Sequence, residues 1–185
     1  MKIDKLQLEN FRNYRKLEIS LNHGTNLFYG DNAQGKTNIL EAVYVCGTTK
    51  SHRGSKDREL INFDQDESHI RMNLLQNDIS YRIDMHIRKN KTKGIAINGV
   101  PIHKASELLG IGNFVFFSPE DLNMIKEGPS ERRRFLDMEL CQLDKMYLFD
   151  LMNYNRFLMQ RKKLLKELSY HPEYEETLDL WDIQL

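Results

Sequence analysis

The feature that most constrains this chain is the stretch GDNAQGKT at residues 30–37. It matches the phosphate-loop pattern G-x-x-x-x-G-K-[ST] at every fixed position. In this pattern backbone N–H groups surround a phosphate, and the helix that follows adds the positive end of its dipole. Lys36 is predicted to contact the β- and γ-phosphates, and Thr37 to bind Mg²⁺ through its hydroxyl. The predicted nucleotide-binding residues are Gly30, Asp31, Asn32, Ala33, Gln34, Gly35, Lys36 and Thr37.

The sequence on both sides of the loop fits a strand–loop–helix unit. Residues 25–29 (TNLFY) are a short apolar run, which favours a strand before the loop. Gly47 is expected to end the helix after the loop. The apolar residues of that helix share one face, and they are Ile39, Leu40, Val43 and Cys46. The alternative is a glycine turn with a solvated lysine, but the flanking elements favour a nucleoside triphosphate site.

The composition limits how the chain can contact its partners. Of 185 residues, 40% are hydrophobic and 29% are charged, with 27 basic and 27 acidic residues. Because the net charge is zero, contact with nucleic acid must rely on local basic patches. The chain has no apolar run long enough to span a membrane and no signal-peptide core after Met1. Cys46 and Cys141 are expected to be reduced thiols of a cytoplasmic protein.

Alternating apolar residues predict a series of antiparallel strands. The dipeptide Asn98-Gly99 is a strong signal for a two-residue hairpin turn, and residues 89–94 are expected to form a charged turn. The predicted strands cover residues 5–9, 17–21, 69–75, 79–87, 95–97 and 100–102. This order is typical of an antiparallel meander rather than of repeated βαβ units.

The character of the chain changes after this sheet. Residues 113–117 (NFVFF) have the composition of a buried strand, and Ser118-Pro119 then starts a helix. Residues 130–168 show helical spacing with no breaker, and a last short helix containing Trp181 is expected after Pro172. The sequence therefore predicts a nucleotide-binding part at residues 1–117 and a helical part at residues 118–185.

Two basic segments are candidates for contact with DNA. One follows the phosphate-loop helix, in a polar stretch expected to be an exposed loop, and the other lies on the long predicted helix. Both could equally be solvated surfaces. The candidate DNA-binding residues are Lys50, Arg53, Lys56, Arg58, Arg161 and Lys162.

Several blocks of sequence, taken together and in order, resemble the RecF family of DNA replication and repair proteins. The first runs Leu6-x-Leu8-x-Asn10-Phe11-Arg12-Asn13-Tyr14, and the phosphate loop then continues into NILEA. The others are KSHR at 50–53, FSPEDL at 117–122 and PSERRRFLD at 129–137. RecF proteins are similar to SMC-type heads within the ABC ATPase class.

The resemblance implies an α/β fold of the ABC-type ATPase head. An antiparallel meander plus an α/β core would form lobe I, and a helical lobe II would follow. It implies ATP and Mg²⁺ as cofactors, and an ATP-gated homodimer that recognises DNA at single-strand gaps. The implied role is recombinase loading with mediator partners and participation in the SOS response, with weak DNA-stimulated ATPase activity in the full-length protein. Arg12 corresponds to a position near the nucleotide in related heads.

The sequence lacks other parts of such a head. It contains no LSGG-like signature, no convincing Walker B strand and no switch histidine. The run MYLFD ending at Asp150 has the outline of a Walker B strand but lies within the helical pattern, so a helix is predicted there. The chain therefore resembles the N-terminal portion of a RecF protein, with half of an ATP site, and is expected not to hydrolyse ATP alone.

Two other classes of function remain open from the sequence. A P-loop small-molecule kinase would use the helical part as a substrate lid, but it should have a second strand ending in an acid soon after the loop helix. A non-catalytic scaffold would bind nucleotide for stability only, and the lack of a Walker B strand is compatible with it.

Overall fold

The computed structural model describes residues 1–119 and 128–184. The chain divides into two compact units, Met1–Gly128 and Pro129–Leu185. The boundary predicted from the sequence, between residues 117 and 118, precedes this division. The helix predicted to start at Ser118-Pro119 falls mostly at residues 120–127, which lie outside the described residues.

The first unit contains one six-stranded antiparallel sheet with the strand order β2-β1-β3-β4-β5-β6. The predicted meander is therefore confirmed, including the Asn98-Gly99 turn, where both residues have positive φ. The strands are β1 (Lys2–Phe11), β2 (Tyr14–Ser20), β3 (Glu67–Gln76), β4 (Ile79–Arg88), β5 (Lys91–Ile97) and β6 (Val100–Ile102).

One face of this sheet packs against α1 (Lys36–Thr48), the helix that follows the phosphate loop. Alternate residues of the strands point into this core, as the period of two requires. Burying each large side chain contributes about 1.5–3 kcal/mol. Leu40, predicted on the buried face of the helix, is 44% exposed. The central core residues are Leu6, Leu8, Ile70, Met72, Ile83 and Met85 from the sheet and Ile39, Ala42, Val45 and Cys46 from α1.

The strands predicted at residues 25–29 and 113–117 are not formed. Both segments are irregular, and Leu27, Tyr29, Val115 and Phe117 are 81%, 88%, 75% and 77% exposed. An apolar run becomes a strand only where another strand supplies hydrogen bonds and covers its side chains. Among the described residues, neither segment pairs with a strand.

Gly47 does not end α1, contrary to the prediction from the sequence. The helix continues to Thr48, and Thr49 adopts the left-handed conformation that terminates it. A Cβ atom at position 47 would lie only 2.1 Å from Cδ2 of Phe114. The glycine therefore allows close packing of α1 against the aromatic ring.

The charged turn predicted at residues 89–94 is shorter than expected. Strand β5 already begins at Lys91, and the turn comprises Lys89 and Asn90. Lys93 is not a solvated tip residue, because its Nζ donates to Asp57 Oδ1 at 2.8 Å and to Thr49 O at 2.5 Å. Lys93 thus connects the sheet to the segment after α1, which also contains the short helix α2 (Asp57–Leu60).

Over its described residues, the second unit contains three α-helices: α3 (Pro129–Leu143), α4 (Lys145–Glu167) and α5 (Glu175–Gln184). The uninterrupted helix predicted from residue 130 to 168 is therefore wrong. Asp144 separates α3 from α4, because its extended backbone breaks the helix and its side chain accepts a hydrogen bond from the Met146 N–H. Asp150 lies in the middle of α4, as predicted, and is exposed.

Contacts between helices hold the second unit together. The Tyr147 hydroxyl of α4 donates to Asp137 Oδ1 of α3 at 2.6 Å. Arg161 pairs with Asp182, and Phe157 lies 6.0 Å from Trp181 between ring centroids, so α4 also packs against α5. Within the described part of the chain, no helix is both long and apolar enough to cross a bilayer.

Candidate functional site

The phosphate loop forms the turn that leads into α1. Gly30, Ala33 and Gly35 have φ angles of 141°, 63° and 95°, and Gly35 is the N-cap of the helix. Positive φ is readily adopted by glycine, but for alanine it costs roughly 1–3 kcal/mol. A strained residue in an exposed turn indicates a backbone shaped for binding.

The Lys36 ammonium is bound to the backbone of the loop itself. Its Nζ donates to the carbonyl oxygens of Gly30 at 2.8 Å and Asp31 at 2.5 Å, which closes the loop across its first residues. Thr37 follows in the first turn of α1, and its side chain is exposed. The positive charge, the free N–H groups of the helix N-terminus and an exposed hydroxyl therefore meet at one place, which suits a phosphate group with a bound cation.

The turn between β1 and β2 contacts the phosphate loop at Gln34 and Gly35. A Cβ atom on Gly35 would lie 2.5 Å from Asn13 Nδ2 and 2.8 Å from Tyr14 Oη. Both side chains donate to the carbonyl oxygen of Gln34 at 3.3 Å, and Asn13 Oδ1 accepts from Asn38 Nδ2 at 2.8 Å. Asn13 and Tyr14 were not predicted as site residues, although both belong to the first block of the RecF resemblance.

The side chain of Arg12 is bound to α1, the helix that follows the phosphate loop. Its Nε donates to Glu41 Oε2 at 2.9 Å, and its Nη2 donates to Glu41 Oε1 at 2.7 Å. Further bonds from the same guanidinium reach Ser55 Oγ and the Glu59 carbonyl oxygen, both at 2.8 Å. The sequence resemblance placed Arg12 near the nucleotide, and this remains a prediction. In the structure its guanidinium is bound by these protein groups, so Arg12 links the β1–β2 turn to α1.

Glu41 is the buried anion at the centre of this network. Its side chain is fully buried and also accepts from Ser51 Oγ at 2.6 Å. Burial alone would raise the pKa of Glu41, but the hydrogen bonds from Arg12 and Ser51 outweigh it and hold the pKa below its ordinary 4.5. The stabilisation is therefore fully present above pH 4.5 and is lost as the pH falls through the lowered pKa. No local pattern of residues predicts this pair, because its members are far apart in the chain.

The predicted basic residues near α1 differ in their surroundings. Arg53 Nη1 lies 3.4 Å from Asn38 Oδ1 and 3.8 Å from Glu41 Oε2, so its side chain is directed at the first turns of α1. The side chains of Lys50, Lys56 and Arg58 are exposed. The exposed loop predicted for this stretch is only partly correct, because Thr48, Thr49 and Ser51 are buried.

The two remaining basic candidates lie on α4, in the second unit. Arg161 forms hydrogen bonds to both carboxylate oxygens of Asp182. Hydrogen bonding to Asp182, together with its negative charge, raises the pKa of Arg161. Its charge is therefore largely balanced within the unit. Lys162, the next residue, is exposed.

Comparison with known proteins identifies the family. A model of the AAA domain matches residues 5–182. The DNA replication and repair protein RecF of Lachnospira eligens is 62% identical over 187 residues, and that of Agathobacter rectalis is 64% identical over 185. These alignments include 100% of this chain but only 52% and 51% of the relatives. The chain thus spans about half the length of the curated relatives it matches.

Solved structures give the same result for the fold. A structure of the recombination mediator protein RecF with ATP superposes with a TM-score of 0.92 at 39% identity, covering 98% of this chain and 49% of that one. The SMC head domain of Pyrococcus furiosus reaches a TM-score of 0.58 at 23% identity, over 97% of this chain and 48% of that one. The fold predicted from the resemblance, an ABC-type ATPase head of which the chain covers about half, is confirmed. The chain belongs to the AAA domain family, and within that family it is similar to the RecF proteins along its whole length.

Proposed function

We propose that this chain is the ATP-binding portion of a RecF-type DNA replication and repair protein. The observation that carries the proposal is the loop at residues 30–37, where Lys36 and the N-terminus of α1 meet. The high identity to RecF proteins supports ATP as the nucleotide, and a RecF structure with ATP has a similar fold. The fold does not favour a small-molecule kinase, because α1 is followed by an antiparallel sheet instead of a βα unit.

Different groups of the loop would bind different parts of a triphosphate. The backbone N–H groups of the loop and of the first turn of α1 would bind the phosphate oxygens. Lys36 would move its ammonium from the loop carbonyls to the β- and γ-phosphates, and Thr37 would offer its hydroxyl to Mg²⁺. Bound Mg²⁺ supplies neutralisation of the phosphate charge. Asn13 and Tyr14 would position the loop through their hydrogen bonds to the carbonyl oxygen of Gln34.

We expect the 185-residue chain to bind ATP with Mg²⁺ but to show no measurable hydrolysis. Phosphoryl transfer also needs a group that orients water and charge stabilisation opposite the loop. Calorimetric titration should detect ATP binding. AMP should bind with at least about tenfold lower affinity, because it lacks the β- and γ-phosphates that Lys36 is predicted to contact. Phosphate release should remain at background, with or without DNA. Turnover that Asp150→Asn abolishes would contradict the assignment of Asp150 to a surface helix position.

The exposed cations after α1 favour contact with the DNA backbone as a second activity of this unit. Lys50, Lys56 and Arg58 are exposed within one short segment, and Arg53 of the same segment lies 3.4 Å from Asn38 Oδ1 in the first turn of α1. Since the net charge is zero, such a cluster is what could attract a phosphate backbone. Arg161 is less suited, because Asp182 already occupies its guanidinium.

Salt dependence would test this DNA contact. Log affinity for duplex DNA, measured by fluorescence anisotropy, should fall with log salt with a slope of about −0.9 for each phosphate contacted. Reversing Lys50, Lys56 and Arg58 to glutamate should weaken binding and make the slope shallower. Reversing three exposed lysines elsewhere, Lys2, Lys16 and Lys104, is the matched control. Equal losses in the two variants would mean that the segment after α1 has no special role.

For the whole protein, we propose the partners that the resemblance to RecF implies. These are an ATP-dependent homodimer, gapped or single-stranded DNA, and mediator proteins that load a recombinase, with a part in the SOS response in the cytoplasm. Support comes from the identity to RecF and from an SMC ATPase of similar fold whose structure concerns ATP-driven dimerization. A non-catalytic scaffold would bind nucleotide equally well, and it predicts no turnover even when the rest of a RecF chain is joined to this one.

A further inference from the structure

A cluster of metal-ligating side chains lies on the exposed face of the sheet, opposite the core. Glu67 and His69 are on β3, and His86 is on β4. One ligand atom from each residue lies within 4.8 Å of the other two. His86 Nε2 is 2.9 Å from Glu67 Oε2, and His69 Nε2 is 3.9 Å from Glu67 Oε1.

The backbone of the sheet fixes this arrangement. Glu67 and His69 are two residues apart on β3 and therefore share a face, while Ser68 and Ile70 between and beyond them are buried. His69 and His86 are direct partners in the antiparallel register, and their rings stack at a centroid distance of 4.0 Å. Because two long hydrogen-bonded strands hold the three side chains, little conformational entropy would be lost on binding an ion.

Neighbouring residues leave room for an ion beside these side chains. His69 and His86 line a groove of about 500 Å³ on this face of the sheet, and Gly94 and Ala96 of β5 form the side next to His86. A Cβ atom on Gly94 would be 4.0 Å from the Cβ of His86, so this edge of the groove is open. Arg71, the nearest cation along β3, is bound to Asp84. Arg88 of β4 is the direct partner of Glu67 in the register, and it places a positive charge next to the cluster.

The donor set suits a transition metal better than Mg²⁺ or Ca²⁺. Imidazole nitrogens bind Zn²⁺ and its neighbours in the first transition row, whereas Mg²⁺ and Ca²⁺ require mainly oxygen ligands. Two histidines and one carboxylate are a known three-ligand set for Zn²⁺, with metal–ligand distances of about 2.0–2.2 Å. Tetrahedral ligands at that distance are roughly 3.4 Å apart. The three ligand atoms lie within 4.8 Å of one another, so small side-chain rotations would bring them to this spacing.

We propose that Glu67, His69 and His86 form a binding site for one divalent transition-metal ion, with Zn²⁺ the best fit. The fourth coordination position faces the groove and is open to water. The site is separate from the phosphate loop in sequence and chemistry, so its test does not depend on nucleotide binding. An ion bound there would tie β3 to β4 by their side chains as well as by their backbones.

Calorimetric titration of the metal-free chain with Zn²⁺ alone would test the site. One ion per chain is expected. His86→Ala and Glu67→Gln should each weaken binding by at least about tenfold, since even the loss of a residue that only hydrogen-bonds a metal ligand costs about 10–100-fold in affinity. His23→Ala is the matched control, because His23 is an exposed histidine beside a single carboxylate, Asp4. Equal effects of His86→Ala and His23→Ala, or no binding at all, would overturn the proposal.

Cobalt(II) provides a second measurement that identifies the ligands. Bound at this site, Co²⁺ should show the visible absorption of a nitrogen- and oxygen-ligated ion, and His69→Ala should abolish it. Thiolate-to-cobalt charge-transfer bands would assign the ion to Cys46 or Cys141 instead and would overturn the proposal. All three ligands are at least partly exposed, so the variants should melt at the same temperature as the parent chain in the absence of metal.

Discussion

Replacement of Arg12 by alanine should lower the free energy of unfolding of the first unit by about 3–5 kcal/mol. The variant leaves the fully buried Glu41 carboxylate without its two bonds from the guanidinium. Removing the main partner of a buried charge costs far more than the pair contributes, because the carboxylate has already lost its water. The Ser51 hydroxyl and the more distant Arg53 would remain beside Glu41, but they do not replace the two bonds from Arg12. Urea unfolding followed by circular dichroism would measure the change.

Two further variants separate the ion pair from a general effect of losing an arginine. Arg15→Ala removes an exposed arginine whose Asp64 partner is 3.9 Å away, and it should cost less than about 1 kcal/mol. Replacing Arg12 by methionine and Glu41 by leucine together should recover most of the lost stability, since apolar residues of similar volume can substitute for a buried pair. A loss for Arg12→Ala no larger than that for Arg15→Ala would contradict the role given to the network.

Replacement of Lys36 by alanine should weaken ATP binding at least tenfold while the chain stays folded. A charge-assisted contact to phosphate contributes about 1.5–3 kcal/mol, which corresponds to a factor of roughly ten to a hundred in affinity. The fold should survive because the two bonds that Lys36 makes are to carbonyls of its own loop. Calorimetric titration with ATP and Mg²⁺, beside a thermal melt, measures both quantities.

The matched control for Lys36 is Lys50→Ala. Lys50 is exposed, follows α1 closely and carries the same charge, but it is not part of the loop. ATP affinity should therefore be nearly unchanged in this variant. If both variants lose the same affinity, the effect is one of overall charge, and the assignment of Lys36 to the β- and γ-phosphates fails.

Local patterns predicted those parts of the fold whose contacts are close in sequence. The alternation in β3 and β4, the Asn98-Gly99 turn and the loop before α1 each depend on a few neighbouring residues. The errors arose where a distant partner decides the outcome. Residues 25–29 and 113–117 have strand-like composition, yet a strand needs a neighbour to complete its hydrogen bonds.

The candidate site shows the same difference between residues predicted from a local pattern and residues whose partners are distant in the chain. The glycines, Lys36 and Thr37 were predicted because a single contiguous pattern contains them. The pairing of Arg12 with Glu41 could not be predicted, because a buried ion pair is defined by burial and geometry that residue spacing does not encode. Asp144 was missed for a different reason: an aspartate inside a helical pattern is usually solvated, and here it caps the next helix.

A substitution at Gly35 would be difficult to compensate by a second change elsewhere in the chain. Any side chain there meets two separate obstacles, a left-handed backbone and the nearby side chains of Asn13 and Tyr14. A smaller residue at position 13 would relieve only the overlap with Asn13, because Tyr14 Oη would still lie 2.8 Å from the added Cβ. The backbone penalty would also be unchanged, so no single second-site change removes every obstacle. Within the loop, substitutions should therefore be tolerated best at Asp31, Asn32 and Gln34, because the side chains of these residues are exposed.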